Sequence, residues 1–275
     1  METGNAKIDN LRKKQNEHDA LMLQAASRWD LDHTDGLVII NWALVILLSC
    51  LGFFFPTDGL IVWFQVVWFV GSLILDWCIQ SRTSRAADFK ETFDQYVYGW
   101  ISEIPSYRVR DARDQVGNHL NWVNKQIQND GSQGGVKDWY QAANGRDSNS
   151  QVQDAMLENI SYDTGINKIY LVIIIFLGAM FIGMAALSHM TLDDFIVYAF
   201  VTFAVPVKTL FVTFQRLVQV QKLNAASRSK LEVPVNDDVL KQVQLLLYKK
   251  RQIPGVTPNL VYLWKRNSLN QKYHN

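Results

Sequence analysis

The 275-residue chain has little cysteine, no stretch that alternates apolar and polar residues, and two long blocks without a single basic residue. Each lack removes a class of protein. The two cysteines, Cys50 and Cys78, sit in separate apolar runs at different depths, beyond disulfide reach of one another. A disulfide framework and a thiolate metal site are therefore not expected. The five histidines (His18, His33, His119, His189 and His274) are scattered and never fall at metal-ligand spacing. No P-loop, nucleophile elbow or zinc-protease motif occurs, and no carboxylate pair lies inside an apolar run. The chain reads as a non-enzyme with no catalytic residue, metal or cofactor. Its net charge of +1 is silent about nucleic acid, and neither DNA nor RNA is expected as a partner.

The blocks without Lys or Arg span residues 37–79 and 169–207. Each holds two apolar runs parted by a short polar turn: 37–55 and 60–79 around Pro56–Gly59, then 169–188 and 195–214 around His189–Asp194. A bilayer core about 30 Å thick takes about 20 helical residues, so the runs read as four membrane spans in contact with lipid. The alternative, a soluble core of very apolar helices, fits this spacing poorly. Trp63 and Trp77 lie near interface depth. Five basic residues precede the first block, ten lie between the blocks and twelve follow the second, while both turns have none. The positive-inside rule then predicts that both termini and the central segment are cytoplasmic. A charged stretch with Arg12, Lys13 and Lys14 precedes the first run, which argues against a cleavable signal peptide.

These boundaries divide the chain into a cytoplasmic segment at 1–36, a first hairpin at 37–79, a central region at 80–168, a second hairpin at 169–214 and cytoplasmic helices at 215–275. Ala86, Phe89, Phe93, Val97 and Trp100 recur at helical spacing, so the second span should continue as an amphipathic helix that Pro105 ends. Val109, Ala112, Val116, Leu120, Val123 and Ile127 predict one further helix, broken by Asp130 and the glycines after it. Residues 143–150 read as a loop, and Val152, Met156 and Ile160 open a helix into the third span. A helix from near Asn236 has Asp237 and Asp238 in its first turn and Lys249, Lys250 and Arg251 in its last, matching its dipole. A short helix is expected near 262–270. The fold class is an all-α membrane protein: four transmembrane helices in two hairpins, extended into a cytoplasmic helical layer.

Polar residues within the spans form stripes. Thr202, Pro206, Thr209, Thr213 and Arg216 step by four, three, four and three; Gln65, Ser72, Asp76 and Thr83 step by seven, four and seven; Asn41, Ser49 and Gly52 share one face. Such side chains face protein or water rather than lipid. Gln65, Ser72, Asp76, Thr202, Pro206, Lys208, Thr209 and Thr213 are thus candidates to line or gate a pore, or else to hold helices together. Asp76 and Lys208 lie at the same end of their spans and can pair, unless Lys208 snorkels. Pro206 removes a backbone bond to Thr202 and is a candidate hinge. Ala179 and Gly183 form a small-xxx-small pair for close helix packing.

The central region offers a candidate ligand site. Tyr107, Arg108, Arg110 and Arg113 cluster in sequence, and "GGVKDWYQAANG" (134–145) sets Trp139 and Tyr140 between flexible segments. Arginine beside aromatic rings suits phosphate and base binding. The other reading is a solvated basic helix face plus an aromatic anchor.

The two-plus-two layout, with "FDQYVYGW" (93–100), "VKDWY" (136–140), "SYDTGINKIY" (161–170) and the carboxyl-terminal "LNAASRSKLEV…VQLLLYKKRQIPGVTPNLVYLWKR", resembles the SMODS-associated four-transmembrane effectors over most of the chain. The resemblance implies a multi-pass protein of the bacterial inner membrane that acts in anti-phage signalling. A cognate nucleotidyltransferase would supply a nucleotide messenger, a cyclic di- or oligonucleotide. The effector would respond as a homo-oligomer by permeabilising the membrane, ending in abortive infection.

Overall fold

The computed structural model of the chain describes residues 11–55, 59–130, 134–140, 148–187, 192–232 and 235–255. After a helical turn at 11–15 come α1 (His18–Phe54), α2 (Gly59–Val97), α3 (Ser106–Val116), α4 (Leu120–Gln128), α5 (Ser148–Leu187), α6 (Leu192–Leu231) and α7 (Asp237–Arg251). Helix makes up 86% of the structure, and no strand occurs among the described residues. The protein is an all-α membrane protein. Helices α1 and α2, and residues Ser148–Met180 of α5, are each long and apolar enough to cross a bilayer. The fourth apolar run lies on α6, where side chains before Ala204 are outside the described residues.

The four long helices have 37, 39, 40 and 40 residues. At 1.5 Å per residue each is about 55–60 Å long, roughly twice the hydrocarbon thickness. Half of each helix is therefore left over to build a helical head, and the burial pattern shows where the change occurs. In α1, every residue from Ala20 to Ser27 is buried; beyond it only Asp30, Thr34, Val38, Asn41, Val45, Ser49 and Gly52 are, a single stripe. In α2 the order is reversed: a sparse stripe at Gln65, Ser72, Ile79 and Thr83 precedes dense burial from Ala86 to Val97. Around the stripes the apolar side chains point outward, Trp63 and Trp77 among them at 70% and 71% exposed. Apolar outside and polar inside is the arrangement that lipid selects.

Helices α1 and α2 pack antiparallel in one register. Gln65 Nε2 donates to the Leu48 carbonyl at 3.0 Å near the tip, and Ser27 Oγ donates to the Ala86 carbonyl at 2.9 Å in the head. The head core gathers Leu23, Phe89, Phe93, Met156, Ile160, Leu240, Val243 and Leu247 from α1, α2, α5 and α7. A second cluster, Ile166, Tyr170, Ile174, Leu217 and Val220, continues it toward the apolar end, with Trp42 and Ile253 packed on it.

Three local expectations fail for identifiable reasons. Helix α2 stops at Val97, eight residues before Pro105. Gly99 has φ +78° there, the Gly99 amide donates to Tyr96 and the Trp100 amide to Gln95, a glycine-based cap that closes the helix before the proline. Pro105 instead precedes the first residue of α3. The single helix predicted over Val109–Ile127 is two, because Gly117 takes φ +50° and turns the chain; Leu120 is consequently 60% exposed. Residues 148–150, read as the end of a loop, are instead the first residues of α5; as for the small-residue pair, Ala179 is exposed and a Cβ at Gly183 would meet no atom of the described residues within 4 Å. By contrast, α7 forms as its charges predict, with Asn236 Oδ1 accepting the Val239 amide at 2.9 Å as N-cap. The helix expected near 262–270, and the loop residues 143–147, lie outside the described residues.

Candidate functional site

The polar stripes of three helices meet where the spans enter the head. A cleft there is lined by Val38, Asn41 and Trp42 of α1, Asp76 and Ile79 of α2, Lys208, Thr209, Val212, Thr213 and Arg216 of α6, and Gly255. Lys208 Nζ reaches Asp76 Oδ2 at 2.8 Å and donates to Ser72 Oγ at 3.0 Å. Arg216 Nη2 approaches Asp76 Oδ1 at 4.0 Å. One carboxylate on α2 thus holds two cations on α6, and the three side chains are 22–29% exposed. Two cations against one anion leave the cleft positive. Its volume of about 20 Å³ admits a water and no nucleotide.

Of the candidate pore residues, the structure brings Ser72, Asp76, Lys208, Thr209 and Thr213 together in or beside this cleft, with Thr209 and Thr213 buried. Gln65 lies further toward the tip, buried and bonded to α1. Pro206 is a buried residue inside the continuous α6. The Thr202 side chain lies outside the described residues.

The ligand candidates in the head are not brought together. Arg108 lies 3.8 Å from Asp88 and over the Tyr107 ring, Arg113 lies 3.5 Å from Asp19, and Arg110 is exposed. Trp139 and Tyr140 face a different set of groups. Gln15 clasps the backbone of Tyr140, accepting its amide at 2.9 Å and donating to its carbonyl at 3.2 Å. The next residue, Asn16, accepts the Asp138 amide at 3.0 Å and donates to the Asp138 side chain at Oδ1. Gly135 is required where the segment begins, since a Cβ there would lie 1.9 Å from the Asn129 carbonyl oxygen. Tyr140 is buried against Phe93 and Tyr98, and Trp139 packs half-buried on the same core. The aromatic pair therefore anchors the segment in the head. Trp139→Ala should lower head stability by about 2 kcal/mol, read by thermal unfolding of the detergent-solubilised protein. An unchanged unfolding midpoint would contradict the anchoring role.

Sequence reasoning missed the charges buried beneath that anchor. Asp94 is fully buried and accepts from Arg251 Nη1 at 2.6 Å, Tyr140 Oη at 2.6 Å and Gln244 Nε2 at 3.0 Å. Lys90 Nζ lies 3.9 Å from Asp94 and within 4.4–5.1 Å of the Trp139, Phe93 and Tyr140 ring centroids. A second buried carboxylate, Asp30, binds Arg85 through both oxygens at 2.7 and 2.9 Å and accepts from Gln115 at 2.8 Å, joining α1, α2 and α3. Lys90 and Asp94, four residues apart beside the apolar stripe of α2, are the one trace of this in the sequence; the partners lie 46–157 residues away.

Burial pushes the Lys90 ammonium down to about 7, against the opposing pull of Asp94. The unfolded chain keeps that proton up to 10.5, so above pH 7 the unfolded state binds more protons than the folded one. Stability should consequently rise with pH between 7 and 9, by at most about 1.4 kcal/mol per pH unit. Lys90→Met should flatten that rise in a pH series of unfolding midpoints, and a wild-type midpoint that does not climb over this range would refute the assignment.

Among curated proteins and among solved structures, no significant match to the chain is found. A family model described as "SMODS-associating 4TM effector domain" matches residues 9–275, nearly the whole chain. The four apolar runs, the all-helical fold and this match agree: the chain belongs to the SMODS-associating 4TM effector family, which implies an effector role in nucleotide-signalling anti-phage defence.

Proposed function

We propose that the protein is a gated pore of the bacterial inner membrane, built from several copies of this chain and opened by a cyclic nucleotide messenger. Both termini and the head are cytoplasmic in this reading, because residues 37–79 and 169–207, turns included, hold no Lys or Arg, and Lys208 lies at the head end of its span. The observation that carries the gate is the Asp76–Lys208–Arg216 cluster, which ties α2 to α6 beside two buried threonines at the end of the spans. In this reading α2 and α6 exchange between a tied and a released state, and a messenger that binds the released state more tightly shifts the balance. Several copies are invoked because a single four-span subunit is too small to enclose a wide pore. Among the described residues, the cleft of one subunit, about 20 Å³, has room for a water but not for a row of hydrated ions.

The seam is tested in bacterial cells that co-express a cyclic-nucleotide synthase. Thr209→Leu and Thr213→Leu fill the seam with branched apolar side chains, and each should reduce growth arrest and depolarisation with membrane levels unchanged. Unaltered toxicity in both variants assigns the seam to helix packing. Intact membrane potential in arrested wild-type cells favours a non-conducting scaffold that recruits a partner.

A further inference from the structure

Helix α7 ties the buried charges of the head to the cleft at the membrane junction. Three of its side chains bind successive turns of α2: Tyr248 Oη donates to Asp88 at 2.7 Å, Gln244 Nε2 to Glu91 at 2.6 Å, and Arg251 Nη1 to Asp94 at 2.6 Å. Lys250 pairs with Asp163 of α5. The chain then leaves the helix in a tight turn that runs straight to the cleft. The Gln252 carbonyl accepts from Gln80 Nε2 at 3.1 Å. Ile253 packs on the apolar cluster of Ile166, Tyr170 and Leu217, and Pro254 is buried. Gly255 forms part of the cleft wall with φ +67°, where a Cβ would lie 3.3 Å from Val38 Cγ2 and 3.8 Å from Arg216 Nη1.

Three residues thus separate Arg251, paired with Asp94, from Gly255 in the wall beside Arg216. The geometry points to an autoinhibitory clamp: the turn Gln252–Gly255 seats against Val38 and Arg216 and holds the Asp76–Lys208–Arg216 cluster closed, and α7 lifts it when the head rearranges. The inference rests on the gated-pore reading for its consequence, not for its contacts. Glycine at 255 is what lets the turn seat. A side chain there is strained by the positive φ and pressed against α1. The rest of α7 holds the turn from the head side, so a shift of α7 along α2 has no slack in which to be lost.

The test uses the full chain in vesicles of phosphatidylethanolamine and phosphatidylglycerol loaded with carboxyfluorescein, with no nucleotide added. Two quantities are read on the same samples: amide hydrogen exchange and dye release. Gly255→Val should speed exchange about tenfold in 72–80 and 205–216, while 86–97 in the head stays protected. Gly255→Ala, a milder change that keeps the fold, should show the same pattern at smaller size. Exchange in 72–80 and 205–216 that matches wild type in both variants overturns the clamp, whatever the dye does. Faster exchange with dye release supports both clamp and pore. Faster exchange without release supports the clamp and overturns the pore.

Discussion

Asp94→Ala should cost the head about 3–5 kcal/mol, the scale found when one partner of a buried ion pair is removed. The carboxylate is fully buried and has four neighbours that depend on it: Arg251, Lys90, Tyr140 and Gln244. Burial alone would raise its pKa, yet Arg251 and Lys90 outweigh burial and hold it below the usual carboxylate value. Arg251 shows the reciprocal effect: burial acts to lower its pKa, and Asp94 with the two tyrosines more than reverses this. Without Asp94 the Arg251 guanidinium is left in an apolar, ring-lined core without its carboxylate, and Lys90 loses the anion that favours its charged form. Thermal unfolding followed by near-UV circular dichroism should show the loss of the tryptophan and tyrosine signal at much lower temperature. Lys90→Met should be mild by comparison, because it removes a charge that the core already disfavours. A midpoint for Asp94→Ala within a degree or two of wild type would mean that the buried network does not hold the head together.

The second large effect is expected at the junction. Asp76→Ala leaves Lys208 and Arg216 without their shared carboxylate, so at this point the cluster keeps only the Lys208–Ser72 hydrogen bond to α2 while the two cations repel within α6. In the gated-pore account this variant is active without messenger, and its closed-to-open balance moves by about tenfold or more. Expression alone should then arrest growth. The charge exchange Asp76→Lys with Lys208→Asp restores one attractive pair and should restore much of the silence. If Asp76→Ala inserts normally and is as silent as wild type, the cluster is a structural tie and the gate lies elsewhere.

How far the sequence foretold this molecule depends on the range of the interaction concerned. Three of the four expected spans were legible, as helices long and apolar enough to cross a bilayer, because lipid imposes one rule on every residue in them. The α7 helix was legible because its cap and end charges are local. Stripe residues such as Ser72, Asp76, Thr209 and Thr213 could be placed on one side of each helix by spacing alone, and the structure brings them to a common cleft. Breaks made by backbone conformation were harder. Gly99 and Gly117 end helices through positive φ, while the eye is drawn to Pro105, which here only precedes a helix. Partner choice was illegible. Arg108 and Arg113 share the central region with Trp139 and Tyr140, but Asp88 and Asp19 take the arginines and Lys90 takes the rings. Gly255 shows the same limit: nothing local in "RQIPGV" shows that it touches Val38, more than two hundred residues earlier.

Single-channel recording tests the central claim most directly. Purified full-length Asp76→Ala protein, reconstituted in a planar bilayer of phosphatidylethanolamine and phosphatidylglycerol, should give discrete, reproducible current steps. Wild-type protein without nucleotide should be almost silent, and the charge-exchanged variant should lie between them. Correctly folded and inserted protein that passes no current in any of the three forms would contradict the pore, and with it the gating role given to the junction cleft.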